Sequence, residues 1–173
     1  MNRKKDRLYI AYGSNLNLPQ MAHRCPTAEV VGSAQVKDFA LLFRGGRGHA
    51  VATIEPQEGA AVPVLVWRIT PQDELALDRY EGYPSFYEKQ MMEVELGGRS
   101  VEAMVYVMTP GHRLGYPSDY YYQTILDGYD SAGFAPDVLE QAVERTEQLM
   151  AGAPEPEPEL EPEQGTLFGM KWW

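Results

Sequence analysis

The stretch Leu8-Tyr9-Ile10-Ala11-Tyr12-Gly13-Ser14-Asn15-Leu16 constrains this chain more than any other. It begins as an apolar strand, breaks at Gly-Ser-Asn and gives way to residues with helix character, Leu18-Pro19-Gln20-Met21-Ala22-His23-Arg24. A strand running through a tight turn into a helix start aims several backbone N–H groups into one small space. Such an array holds an anion without a charged side chain. Gly13 lets the backbone approach a ligand closely. Ser14 and Asn15 suit either a helix cap or the same ligand. In isolation an ordinary strand-to-helix turn is the favoured reading, and partner residues further along reverse that preference.

Downstream, Val30 to Phe43 is rich in β-formers, with a bend or bulge expected at Gly32-Ser33. The run Arg44-Gly45-Gly46-Arg47-Gly48 reads as a hairpin loop, since it lacks the lysine and glycine patterns of phosphate-binding loops. Strands follow at His49 to Ile54 and Val62 to Ile69, the latter with both faces covered. Thr70-Pro71-Gln72-Asp73 is a strong helix start, with Thr as cap and Pro in the first turn. That helix meets Gly82 and Pro84, so Glu81 falls in its last turn. Phe86 to Leu96 and Ser100 to Met108 form two antiparallel strands joined at Gly97-Gly98. Pro117-Ser118 opens a helix with Tyr122, Ile125, Leu126 and Tyr129 on one face, and Val138 to Met150 makes an amphipathic final helix. The inventory is about six strands and four helices, an α+β composition in one domain over residues 1–150.

From Ala151 the character changes. Pro154 to Glu159 alternates proline with like charges, so residues 151–173 read as an extended linker ending in an apolar tail. Gln164, Leu167 and Phe168 in that tail resemble the short peptide by which bacterial replication proteins bind the sliding clamp, and docking of Phe168 and Trp172 on the domain is the rival reading.

Composition excludes several classes. A formal charge of −10, much of it in the tail, and no basic stripe argue against a nucleic-acid partner. No apolar run approaches the roughly 20 residues that span a bilayer. The basic N-terminus leads into a strand rather than a signal-peptide core. Cys25 is the single cysteine, fitting a reducing cytoplasm and reading as a small buried residue. His23, His49 and His112 lie far apart without paired ligand spacing, so no metal site is expected.

Three segments join the first turn. Glu81 sits at the negative end of a helix dipole, which disfavours its charged form, and partial burial would act the same way. That would move it toward the range a general base needs near neutrality. Among Tyr120, Tyr121 and Tyr122, one can turn inward and offer its hydroxyl to a pocket. Tyr106 shares a strand face with Met104 and Met108 and reads first as core.

Tyr12-Gly13-Ser14-Asn15-Leu16, Leu77 to Pro84 with Glu81, Tyr106 on a late strand, and Pro117-Ser118-x-x-Tyr121 with Gly128 seven residues later occur in that order. Together they resemble the γ-glutamylcyclotransferase family, from Leu8 to Gly133. The resemblance implies a small closed mixed β-barrel of about six strands with helices around it. It also implies a pocket for a small-molecule γ-glutamyl substrate and no cofactor. Tyr12, Gly13, Ser14, Asn15 and Leu16 would supply the loop that takes the substrate's α-carboxylate. Glu81 matches the catalytic glutamate, Tyr121 the substrate-contacting tyrosine and Tyr106 a second pocket tyrosine. Tyr120 competes with Tyr121, but the spacing to Gly128 favours Tyr121. Gly128-Tyr129 departs from the family's frequent Gly-Ala. The expected reaction is cyclisation of a γ-glutamyl amide to 5-oxoproline; a non-catalytic binding module and an interaction protein acting through its tail are the alternatives.

Overall fold

The computed structural model describes residues 5–46 and 48–152; the Pro/Glu-rich linker and the tail with Gln164, Leu167 and Phe168 lie outside them. Strand β1 (Arg7–Ala11) runs into a 3₁₀ turn at Ser14–Leu16 and then helix α1 (Leu18–Arg24). Two long strands follow, β2 (Glu29–Arg44) and β3 (Val51–Ile69), then α2 (Pro71–Glu81), β4 (Tyr87–Leu96), β5 (Arg99–Met108), α3 (Asp119–Ala132) and α4 (Asp137–Gly152). Among the described residues no helix is long and apolar enough to cross a membrane.

The strands form one mixed five-stranded sheet in the order β2-β3-β1-β5-β4. Its centre is β1, antiparallel to β3 through Arg7↔Ile69 and Ala11↔Leu65, and parallel to β5 through Tyr9↔Met104. Burial on both faces fits that position: Tyr9, Ile10 and Ala11 are all buried, as are Ala103 to Met108 on β5.

Two expectations change. The segments His49 to Ile54 and Val62 to Ile69 fall on one strand, β3, so the described residues hold five strands rather than six. Their exposed middle carries the bulge: Lys37 pairs Ala61 and Phe39 pairs Pro56, leaving residues 57–60 opposite Asp38 alone. Asp38 takes a positive φ of 64° there, and its carboxylate accepts the Gly59 N–H at 3.0 Å.

The sheet also does not close into a barrel. Edge strands β2 and β4 approach each other, with Leu96 lying over Gly32 so closely that a β-carbon at Gly32 would stand 2.9 Å from it. The groove between them is lined by Ser33, Gln35, Lys37, Glu93 and Glu95 among others. Polar and charged side chains favour water there, and side-chain contact takes the place of a ladder.

Helix α4 covers β2. Thr146 accepts the Phe43 N–H at 3.2 Å and donates to Ala142, and Arg145 donates to the Leu41 carbonyl at 3.2 Å. Cys25 is buried as expected, and burial, helped by nearby Asp73, pushes its thiol up to about 12.

Candidate active site

A cavity opens where β1 ends. Its empty space measures about 430 Å³ when counted out through its solvent-open mouth. Tyr9, Tyr12, Gly13, Ser14, Asn15, Tyr80, Glu81, Tyr87, Tyr106 and Tyr121 line it, with Ile10, Val51 and Ala52. Every residue named from the sequence is among them except Leu16. Among the described residues of the lining, Glu81 is the single carboxylate, and six of the thirteen are tyrosines.

Local sequence explains how each wall is delivered. Gly13 precedes the 3₁₀ turn, and the Leu16 N–H closes that turn onto the Gly13 carbonyl at 3.0 Å. Leu16 is therefore no donor to the cavity: its amide is engaged and its side chain is fully buried. The N–H groups of Ser14 and Asn15 open the turn, where no intrahelical acceptor exists for them. A β-carbon at Gly13 would stand 3.3 Å from the Ala52 Cβ and 3.4 Å from the Tyr121 hydroxyl, filling the gap between turn and opposite wall.

Glu81 arrives on α2. A reciprocal capping box joins Thr70 and Asp73 at its start, with Pro71 in the first turn. Gly82, left-handed at φ 65°, ends it immediately after Glu81. Beyond the cap, Lys89 on β4 ties two successive acidic residues of α2, reaching Glu74 at 2.7 Å and Asp78 at 2.9 Å. Burial works against that ammonium, but its hydrogen bonds to Glu74 and Asp78 outweigh the penalty and hold its pKa above the usual value. Asp78 in turn accepts the Tyr106 hydroxyl at 2.5 Å, so one network fixes α2 and a cavity tyrosine together.

Tyr121 is the tyrosine of its trio that turns inward; its oxygen accepts the Ala52 N–H at 3.1 Å, whereas Tyr120 is exposed. Tyr12 donates to the Tyr106 carbonyl at 2.7 Å, and Ser14 shares a 2.8 Å hydrogen bond with Tyr80. Burial, above all, raises the pKa of Tyr9, Tyr12, Tyr80, Tyr87, Tyr106 and Tyr121, and the Glu81 carboxylate adds to the rise in each. The cavity thus presents neutral hydroxyls around one acid. Among the described residues no group of three or more His, Cys, Asp or Glu is placed to hold a metal ion.

Sequence reading missed Tyr9, Tyr80, Tyr87 and Ala52. Tyr80 stands beside Glu81, and near a helix end consecutive residues can reach one cavity, a signal that was available. Tyr87 and Ala52 meet only through tertiary structure, the Tyr87 hydroxyl donating to the Ala52 carbonyl at 2.6 Å.

The chain is also similar to known proteins. A family model described as gamma-glutamyl cyclotransferase, AIG2-like, matches residues 9–124. The chain is 30% identical over 144 residues to the gamma-glutamylcyclotransferase of Mus musculus, across 78% of this chain and 76% of that one. It is likewise 30% identical over 136 residues to the Homo sapiens protein of the same name, across 73% and 71%. A solved structure named gamma-glutamyl cyclotransferase superposes with a TM-score of 0.69 at 26% identity, covering 95% of this chain and 98% of the other.

Proposed function

The chain belongs to the gamma-glutamyl cyclotransferase, AIG2-like family of enzymes, and on that premise we propose that it closes γ-glutamyl amides to 5-oxoproline, releasing an amine or amino acid. The substrate's α-amino nitrogen attacks its own γ-carbonyl carbon. The ring C–N bond forms as the carbonyl electron pair moves to oxygen, and that pair returns as the bond to the leaving nitrogen breaks. Glu81 takes protons from the attacking nitrogen and delivers them to the leaving nitrogen, so atoms and charge balance without water. Attack is already intramolecular, and holding the substrate folded supplies much of the acceleration.

In this reading the N–H groups of the Gly13-Ser14-Asn15 turn receive the α-carboxylate, and Tyr12, Tyr106 and Tyr121 wall the glutamyl chain. No step calls on a metal or organic cofactor. The observation that carries the proposal is that Glu81, the single acid among the described lining residues, shares one small cavity with the glycine turn. A panel of γ-glutamyl amino acids and γ-glutamylamines, with 5-oxoproline followed by mass spectrometry, tests it and identifies the leaving group. Glu81→Gln is expected to keep the fold and lower turnover by roughly 10²- to 10⁴-fold, the usual worth of a general acid–base. A folded, fully active Glu81→Gln protein overturns the assignment.

A further inference from the structure

Most hydroxyl protons at the cavity are spent on the protein itself. Tyr12 donates to the Tyr106 carbonyl, Tyr87 to the Ala52 carbonyl and Tyr106 to Asp78. Tyr80 and Ser14 share one hydrogen bond. Tyr9 makes none of these donations, and the reason lies in chemistry two residues away.

The Arg24 guanidinium lies 3.5 Å over the centre of the Tyr80 ring and is steadied by Gln20 at 3.3 Å. It also donates to the Asn15 side chain. A guanidinium has donors only, so the Asn15 atom facing it must be Oδ1. The amide nitrogen Nδ2 then faces the Tyr9 hydroxyl at 2.8 Å, and the tyrosine oxygen must accept. Its own proton has no acceptor among the described residues, although Tyr9 is 3% exposed and lines the cavity. A chain of donors that begins on a cation strengthens the last donor in it.

Building on the cyclisation reading above, we propose that Tyr9 is a second catalytic residue, whose hydroxyl donates to the γ-carbonyl oxygen as that oxygen becomes negative. Arg24 and Asn15 are positioning residues that aim it. The tyrosine proton stays on its oxygen throughout: it stabilises the tetrahedral intermediate and is not transferred. Burial and the neighbouring Glu81 carboxylate both hold the Tyr9 hydroxyl in its protonated form, which suits a donor of this kind.

The test compares parent, Tyr9→Phe, Asn15→Asp and the double variant on a γ-glutamyl substrate that the parent turns over. Tyr9→Phe should lose about 100-fold in kcat with KM within about twofold, the pattern of an interaction made in the transition state. Asn15→Asp keeps the size of the side chain and the acceptor for Arg24. Its second oxygen captures the Tyr9 proton, so kcat should fall comparably with Tyr9 still in place. The double variant should fall no further than Tyr9→Phe. Parental kcat in either single variant, or a rise in KM with kcat unchanged, overturns the proposal. If Tyr9→Phe fails to fold, Asn15→Asp decides alone. A parent that releases 5-oxoproline from no substrate sinks the cyclisation reading and this proposal with it, whereas an active parent with unimpaired variants sinks this one alone.

Discussion

Leu16 and Gly128 meet with no room for a side chain between them: a β-carbon at Gly128 would stand 2.7 Å from the Leu16 carbonyl carbon and 2.7 Å from its Cβ. This contact seats α3 on the glycine turn, and α3 carries Tyr121 into the cavity. Alanine would ordinarily stabilise a helix interior by roughly 0.5–1 kcal/mol relative to glycine. Here the obstacle is largely backbone, which cannot rotate aside. Gly128→Ala is therefore expected to destabilise by about 1–3 kcal/mol, as overpacking does. Thermal unfolding measures this, and an unchanged or raised midpoint would show that α3 can shift freely.

Lys89 separates two carboxylates one helical turn apart. Its side chain is 18% exposed, and those of Glu74 and Asp78 are 17% and 21% exposed. Lys89→Met keeps the aliphatic stem but leaves that pair without its shared cation, although Arg7 still reaches Glu74 at 3.3 Å. A loss of about 1–3 kcal/mol is expected, as for a partly buried charge deprived of its partner. Because Asp78 also holds Tyr106, turnover should fall with it. Denaturant titration and kcat together check this; a stable, fully active variant would mean that the network is dispensable.

Alkaline pH should unfold the protein before it ionises the cavity. The raised pKa values of Tyr9, Tyr12, Tyr87 and Tyr121 come first from burial, so the unfolded chain releases these protons at lower pH than the folded one. Cys25 behaves alike, about 12 when folded against 9.0 ordinarily. The folded state binds more protons throughout that window. Stability is thus intact below about pH 9 and declines as pH rises beyond it. Tyrosinate absorbance for these residues should appear together with loss of circular dichroism. A gradual titration at constant ellipticity would contradict the burial described.

Much of the candidate cavity's lining was legible because it is delivered by local signals. Thr70-Pro71 and Gly82 bound α2 in the sequence as in the structure, which places Glu81 in its last turn. Ser118 caps α3 through the Tyr121 N–H, so the inward tyrosine also follows from position. Leu16 was misjudged because a turn spends its own amides, and a motif does not reveal which ones. The five-stranded count escaped for a related reason: Glu55 to Gly59 looks like a loop, yet β2 runs alongside and pairs on both sides of it. Barrel closure depends on whether two strand edges meet in register, and no short-range pattern encodes that. The Arg24–Asn15–Tyr9 chain was equally hidden, since Arg24 reaches Asn15 only after α1 folds back beside the turn.

The glycine turn leaves the sheet from β1, which is flanked by a neighbour on either side. Peeling that strand away would unzip two ladders at once, so local fluctuations have little access to it. Amide exchange in β1 should then proceed mainly through global unfolding. On the proposed reading, the turn that would hold the glutamyl head group would persist for as long as the fold itself.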